Sequence, residues 1–204
     1  MIKTVVFDIG CVLIGFPWDE YIANLFDDPE IQSIVTASAF KCPYWKEFDR
    51  GEMEFEEILE KMVEQAPDYE AEIREAVDRV GECTIRQDFA IPWIEELKSR
   101  GYQVMYLSNY SDYVKSKSVH ALDFIEHMDG GIFSYNVKAI KPDEKIYTEL
   151  FKHYSLDPHE CVFIDDIQEN LDTACKLGMK TILFDNYLQA YAELNEVLDD
   201  DNEE

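Results

Sequence analysis

The sequence predicts an α/β fold: a parallel sheet with helices on both faces, interrupted after its first strand by a block of helices. Three observations predict it. The chain opens on a short apolar run, "TVVF" (Thr4–Phe7), then shows only helical periodicity from residue 15 to residue 88. From residue 89 to the end, helix and strand patterns alternate. Strands separated by helices require crossover connections, which are right-handed and produce parallel pairing with helices on both sides.

Each element has its own reason. Thr4, Val5, Val6 and Phe7 form a continuous β-branched and apolar run, as a strand buried on both faces does. Asp8 follows at once, with Ile9 and Gly10. A carboxylate there is ordinarily a cap or turn residue; the other reading is a group held for chemistry. In the helical block Trp18, Ile22, Leu25 and Phe26 share one stripe, and Ile31, Ile34 and Val35 a second. Phe55, Ile58, Leu59, Met62 and Val63 make a third, and Ile73, Ala76, Val77 and Val80 a fourth. These stripes read as core, and "DRGEM" (49–53) as a turn between two helices. A helix over 91–100 stops at Gly101, the usual C′ residue. Then come a strand at 102–107, a helix at 113–124, a strand at 131–135 and a helix at 143–154. A strand at 161–164, a helix at 168–177 stopped by Gly178, a strand at 180–184 and a helix at 187–198 complete the chain.

Composition narrows the function. With 204 residues and 47% hydrophobic content, the chain can bury one substantial core plus a small appended unit. Its 44 acidic residues against 18 basic give a formal charge of -26, which repels nucleic acid and anionic membranes. A phosphorylated substrate would therefore need local positive charge from a metal or a placed Lys. Five cysteines without a CxxC pair fit reduced thiols of a cytoplasmic protein, with Cys11 expected as a small buried hydrophobe rather than a reactive thiol. Asp8 interrupts the first apolar run before signal-peptide length, and no run approaches the ~20 residues of a membrane span. The expectation is a soluble cytoplasmic protein whose tail, "DDDNEE", is a disordered, solvating end. The sequence sets no oligomeric state, and a monomer fits it.

In open parallel sheets ligands bind beyond the carboxyl ends of the strands. The first strand ends in Asp8, the second in Ser108 and Asn109, and the 161–164 strand in Asp165 and Asp166. Lys141 stands just ahead of a helix whose first positions include Pro142 and Asp143. Each feature alone has an ordinary structural reading. Together they gather three carboxylates, a hydroxyl and an ammonium on one rim. Three carboxylates share a small volume as anions only around a cation, and oxygen donors without His or Cys select Mg²⁺. Such a set also describes a phosphoryl-transfer site.

These motifs resemble, in order, the four motifs of the haloacid dehalogenase superfamily: "VVFDIGCVL", "YLSN", the Lys of "IKPDEKIY" and "VFIDDIQEN". The resemblance implies a Rossmann-like core over 1–14 and 89–204 with a helical cap over 15–88. It also implies a Mg²⁺-dependent phosphatase acting on a small phosphorylated metabolite. The wording "FDxGxV" and the "DRGEM" turn are most similar to bacterial members resembling α-glucose-1-phosphate phosphatase. By this resemblance Asp8 is the nucleophile that forms an aspartyl-phosphate. Asp8, the Gly10 carbonyl and the Asp165–Asp166 pair hold Mg²⁺, with Asp166 the more direct ligand. Ser108 and the Asn109 backbone bind phosphoryl oxygens, and Lys141 offsets their charge and that of Asp8.

One position departs from the pattern. Where the superfamily's phosphatases usually carry an acid–base Asp, two residues after the nucleophile, this chain has Gly10. A missing general acid costs ~10²–10⁴ in rate, so a substrate with a good leaving group, such as a sugar 1-phosphate, is expected. Gly10 also keeps two other readings open: a 2-haloacid dehalogenase, whose halide leaves unprotonated, and a degenerate member that binds a phosphorylated ligand or a protein without turnover. Phe16, Trp18, Tyr44 and Trp45 are the residues of the helical block expected to face the site.

Overall fold

The computed structural model describes residues 1–200, without the side chain of Asp200. Of the acidic tail, Asp199 and Asp200 extend the last helix and the rest lies outside the described residues. In chain order the elements are β1 (Thr4–Phe7), β2 (Ile14–Gly15), α1 (Trp18–Leu25), α2 (Pro29–Val35, continued by a π-turn at Thr36–Phe40) and α3 (Tyr44–Arg50). Next come α4 (Phe55–Val63), α5 (Glu70–Asp78), β3 (Ile85–Arg86), α6 (Ala90–Ser99), β4 (Gln103–Ser108) and α7 (Asp112–Lys117). The remainder is β5 (Gly130–Phe133), α8 (Ser134–Val137), α9 (Glu144–Tyr154), β6 (Cys161–Asp165), α10 (Gln168–Lys176), β7 (Lys180–Leu183) and α11 (Tyr187–Asp200).

Five strands form one parallel sheet in the order β5-β4-β1-β6-β7. The continuous apolar run is explained by position: β1 lies at the centre and all four of its residues are buried. Alternate residues feed the two faces. Val5, Phe7, Val104, Val162 and Ile164 pack with Trp93, Ile94 and Leu97 of α6 and Ala190, Leu194 and Leu198 of α11. Val6, Met105, Leu107 and Phe163 pack with Ile146, Tyr147 and Leu150 of α9 and Leu171 and Ala174 of α10. Register then places the site. Phe7 pairs with Ile164 and with Tyr106, so Asp8 follows at the same end of the sheet as Asp165 and Ser108.

The helical block leaves and re-enters through a two-stranded antiparallel pair, Ile14↔Arg86 and Gly15↔Ile85, which the apolar periodicity did not reveal. Three other expectations change. The helix expected over 113–124 stops at Lys117 and gives way to 3₁₀ turns at Val119–Ala121 and Asp123–His127. Ser116 turns its hydroxyl back onto the Tyr113 carbonyl (2.7 Å), the local competition that weakens serine in helices. The strand expected over 131–135 ends at Phe133, because the Ser134 hydroxyl accepts the Tyr110 N–H (2.9 Å) and donates to the Asp49 carbonyl (2.5 Å). In "DRGEM", Asp49 and Arg50 still belong to α3, and the turn begins at Gly51 with φ +68°. Among the described residues no helix is long and apolar enough to cross a membrane.

Candidate active site

Beyond the carboxyl ends of the strands lies a cavity of about 310 Å³, within the size range of small-ligand pockets. A groove of about 600 Å³ on the helical block is larger but contains a single carboxylate, Asp19, so size does not identify the site. Asp8, Gly10, Asn109, Lys141 and Asp166 all line the smaller cavity, joined by Asn170. Ser108 does not line it, although its hydroxyl is buried without a hydrogen-bond partner. Of the four aromatic residues expected from the helical block, Phe16, Trp18 and Trp45 form a wall, with Phe16 stacked on Trp18 at 5.1 Å. Tyr44 does not line it.

Lys141 organises the centre. Its ammonium is almost fully buried and lies 2.8 Å from Asp8 Oδ1 and 2.8 Å from Asp165 Oδ2. Asn109 holds the Lys141 backbone from both sides: its Oδ1 accepts the Lys141 N–H (2.7 Å) and its Nδ2 donates to the Lys141 carbonyl (3.1 Å). Asp165 is fully engaged, because Asn170 Nδ2 donates to both of its oxygens (2.9 and 3.0 Å) and the Ile167 N–H to one (2.8 Å). Asn170 is in turn fixed by Tyr147, whose hydroxyl donates to its carbonyl (2.9 Å). Asp8 Oδ1 also accepts the Ile9 N–H at 2.6 Å. Asp166 is half-buried.

The charges do not balance. One carboxylate oxygen from each of Asp8, Asp165 and Asp166 lies within 4.8 Å of the others, around a single ammonium. Burial pushes the Asp8 carboxyl up to about 7; Lys141 pulls it down, and Asp165 and Asp166 push it up again. Asp166 is raised by burial and then by Asp165. Burial pulls the Lys141 ammonium down, but Asp8 and Asp165 more than offset this and hold it above its ordinary value. Excess buried negative charge with oxygen donors only is the chemistry of a Mg²⁺ site, and these residues fit it.

Two cavity residues change the picture drawn from sequence. Cys11 is exposed rather than buried, with φ +57°. Its thiol is nevertheless pushed up to about 11, by the protein around the sulfur and then by Asp166, Asp8 and Asp165, so it is held unreactive. Asp49, read from sequence as a turn residue, lines the cavity from α3 together with Trp45 and Lys46. The Ser111 backbone N–H is directed at its carboxyl, which burial and then the charge of Asp8 push up to about 7. Its place could be found only by asking which face of α3 meets the strand ends.

The chain is similar to the sesquiterpene phosphatase of Aspergillus oryzae, at 23% identity over 96% of each chain. Its fold is shared with a predicted HAD-like family hydrolase from Porphyromonas gingivalis (TM-score 0.73, 23% identity, 95% of this chain and 98% of that one). It is shared too with a HAD family enzyme from Bacteroides thetaiotaomicron solved in complex with magnesium and inorganic phosphate (TM-score 0.69, 20% identity, 90% and 94%). Residues 2–178 match the haloacid dehalogenase-like hydrolases, a span that contains every strand end described above except that of β7; the chain belongs to that family of enzymes.

Proposed function

We propose that the protein is a Mg²⁺-dependent phosphatase that hydrolyses a small phosphorylated metabolite through an aspartyl-phosphate on Asp8. The observation that carries this reading is the buried Lys141 between Asp8 and Asp165, with Asp166 completing a three-carboxylate cluster. Lys141 and the Ile9 N–H occupy Asp8 Oδ1, which leaves Oδ2 to attack phosphorus. The P–O bond to the leaving group breaks, and water then cleaves the aspartyl-phosphate to release phosphate and regenerate the carboxylate. Ser108, with a buried hydroxyl that lacks a partner, is suited to a phosphoryl oxygen, as is the Asn109 backbone. Mg²⁺ held by Asp8, Asp166 and the Gly10 carbonyl would supply positive charge for the phosphoryl oxygens. Asp165, whose oxygens already accept from Lys141, Asn170 and Ile167, serves more to fix Lys141 than to bind metal directly.

The same proposal divides the chain into a core over 1–14 and 89–204 and a cap over 15–88, supported by the β2–β3 pair that brings the two ends of the helical block together. A sugar 1-phosphate of the kind taken by α-glucose-1-phosphate phosphatase-like members is compatible with the cavity volume and with the missing side chain at Gly10. A cytoplasmic location accords with the five free thiols. A dehalogenase is disfavoured, because a carboxylate substrate would meet the net negative cluster. The test is phosphate release from a panel of phosphate monoesters with Mg²⁺, with EDTA, and in Asp8→Asn. Release that survives EDTA or Asp8→Asn would overturn the reading, and chloride release from a 2-haloacid in EDTA would put a dehalogenase in its place.

A further inference from the structure

The position two residues after Asp8 has no side chain and so offers no proton donor. A Cβ built on Gly10 would lie 3.4 Å from Phe16 Cε2, in van der Waals contact with the ring. The ring is itself held in a stack with Trp18. Across the same cavity α3 presents one face, on which Trp45, Lys46 and Asp49 follow at spacings that share a side of the helix. Asp49 is the only carboxylate that this face brings to the cavity.

Asp49 also meets the sheet's rim at its carbonyl and its carboxyl. Its carbonyl accepts the Ser134 hydroxyl (2.5 Å), which accepts the Tyr110 N–H, and the Ser111 N–H is directed toward its carboxyl. Both contacts come from segments that follow β4 and β5, the strands on one side of Asp8. The backbone of Asp49 is therefore tied to the rim that carries the nucleophile, although it comes from the inserted helices.

We propose that Asp49 is the general acid and base of the reaction, supplying from α3 the proton transfers for which Gly10 has no side chain. The inference rests on the phosphatase reading. As Asp8 Oδ2 bonds to phosphorus and the ester P–O bond breaks, the Asp49 carboxylic acid gives its proton to the departing oxygen, which leaves as a neutral alcohol. The Asp49 carboxylate then takes a proton from a solvent water whose oxygen attacks phosphorus. The bond between phosphorus and Asp8 breaks, phosphate leaves, and Asp49 is an acid again. A carboxyl pushed up to about 7, first by burial, is able to serve in both directions at neutral pH. With an acid in place, selection among phosphate esters falls to the aromatic wall and Lys46 rather than to leaving-group quality.

The test uses aryl phosphates of similar size and rising leaving-group basicity, from 2,4-dinitrophenyl through p-nitrophenyl to phenyl phosphate, with Mg²⁺. Wild type is expected to show nearly constant kcat/KM along the series. Asp49→Asn, which keeps an acceptor for the Ser111 N–H, should lose roughly 10²–10⁴ in kcat/KM on phenyl phosphate and less than about tenfold on 2,4-dinitrophenyl phosphate. On the latter it should also release one phenolate per active site in a burst and then turn over slowly, because water is no longer deprotonated. An equal loss on all three esters, or no loss, overturns the proposal. A steep fall along the series in wild type also overturns it, whether or not the variant folds. If wild type releases no phosphate from any ester, it is the phosphatase reading that fails.

Discussion

Asp8→Asn tests the electrostatics of the site without any substrate. In the metal-free protein burial and the neighbouring carboxylates raise the Asp8 carboxyl from 3.8 to about 7. At ~1.4 kcal/mol per pH unit this amounts to roughly 4 kcal/mol, taken as a ceiling. The sign follows from linkage. Between these values the folded protein holds a proton on Asp8 that the unfolded chain has lost, so the contribution is full below about pH 4 and disappears as pH rises through about 7. Asparagine does not titrate, and its amide oxygen can take the two hydrogen bonds that Oδ1 accepts. In EDTA the variant should match wild type at or below about pH 4 and exceed it at pH 8 by up to ~4 kcal/mol. For a chain of this length that corresponds to about 8–16 °C in Tm. Thermal unfolding followed by circular dichroism, at both pH values with and without Mg²⁺, measures it. Mg²⁺ should stabilise wild type more than the variant and so narrow the gap. A gap that does not change with pH, or a wild type more stable than Asp8→Asn in EDTA at pH 8, would refute the reasoning.

Asp166→Asn should weaken Mg²⁺, read as the concentration that half-saturates the rise in Tm, by at least about tenfold, since it removes one of the two carboxylates proposed to hold the ion directly. Asp165→Ala should act on the fold instead: it strips Lys141 of a buried partner and orphans the Asn170 and Ile167 donors, at a cost of ~3–5 kcal/mol in urea unfolding. Gly81→Ala should destabilise by ~1–3 kcal/mol, because a Cβ there would sit 2.1 Å from the Lys117 carbonyl oxygen and force the end of α7 to move; an unchanged urea midpoint would contradict that packing. Gly10→Asp should lower the metal-free Tm at pH 8, because it adds a carboxyl beside the three already gathered around Lys141; an unchanged Tm in EDTA would contradict that crowding.

The sheet was legible because its signals are local. A central parallel strand must be apolar on both faces, which is what residues 4–7 show, and Gly101 and Gly178 end their helices with φ +92° and +103°. The residues at the strand ends were legible for the same reason: Asp8, Asn109 and Asp166 reach one cavity because parallel strands bring their carboxyl ends to one edge, and Lys141 joins them from the segment ahead of α9. What failed was decided at a distance. Ser134 leaves its strand to serve Tyr110 and Asp49, and α7 stops just after Ser116, whose hydroxyl bonds the Tyr113 carbonyl, where 3₁₀ turns take over. The helical stripes named core residues but not which polar face of each helix would meet the sheet. Tyr44 and Trp45 are adjacent, yet one helical step of 100° sends Trp45 to the cavity and Tyr44 toward Lys61, whose ammonium lies 5.8 Å from its ring.

The separation between Gly10 and Asp49 has an electrostatic consequence. A carboxyl at position 10 would join Asp8, Asp165 and Asp166 around the one buried ammonium, where another negative charge is costly. Carried on α3, Asp49 is raised mainly by its own burial, and the charge of Asp8 comes second. Its capacity to hold a proton near neutral pH comes first from that burial. It depends on α3 remaining seated against the rim through Ser111 and Ser134, so chemistry and the position of the inserted helices become one variable.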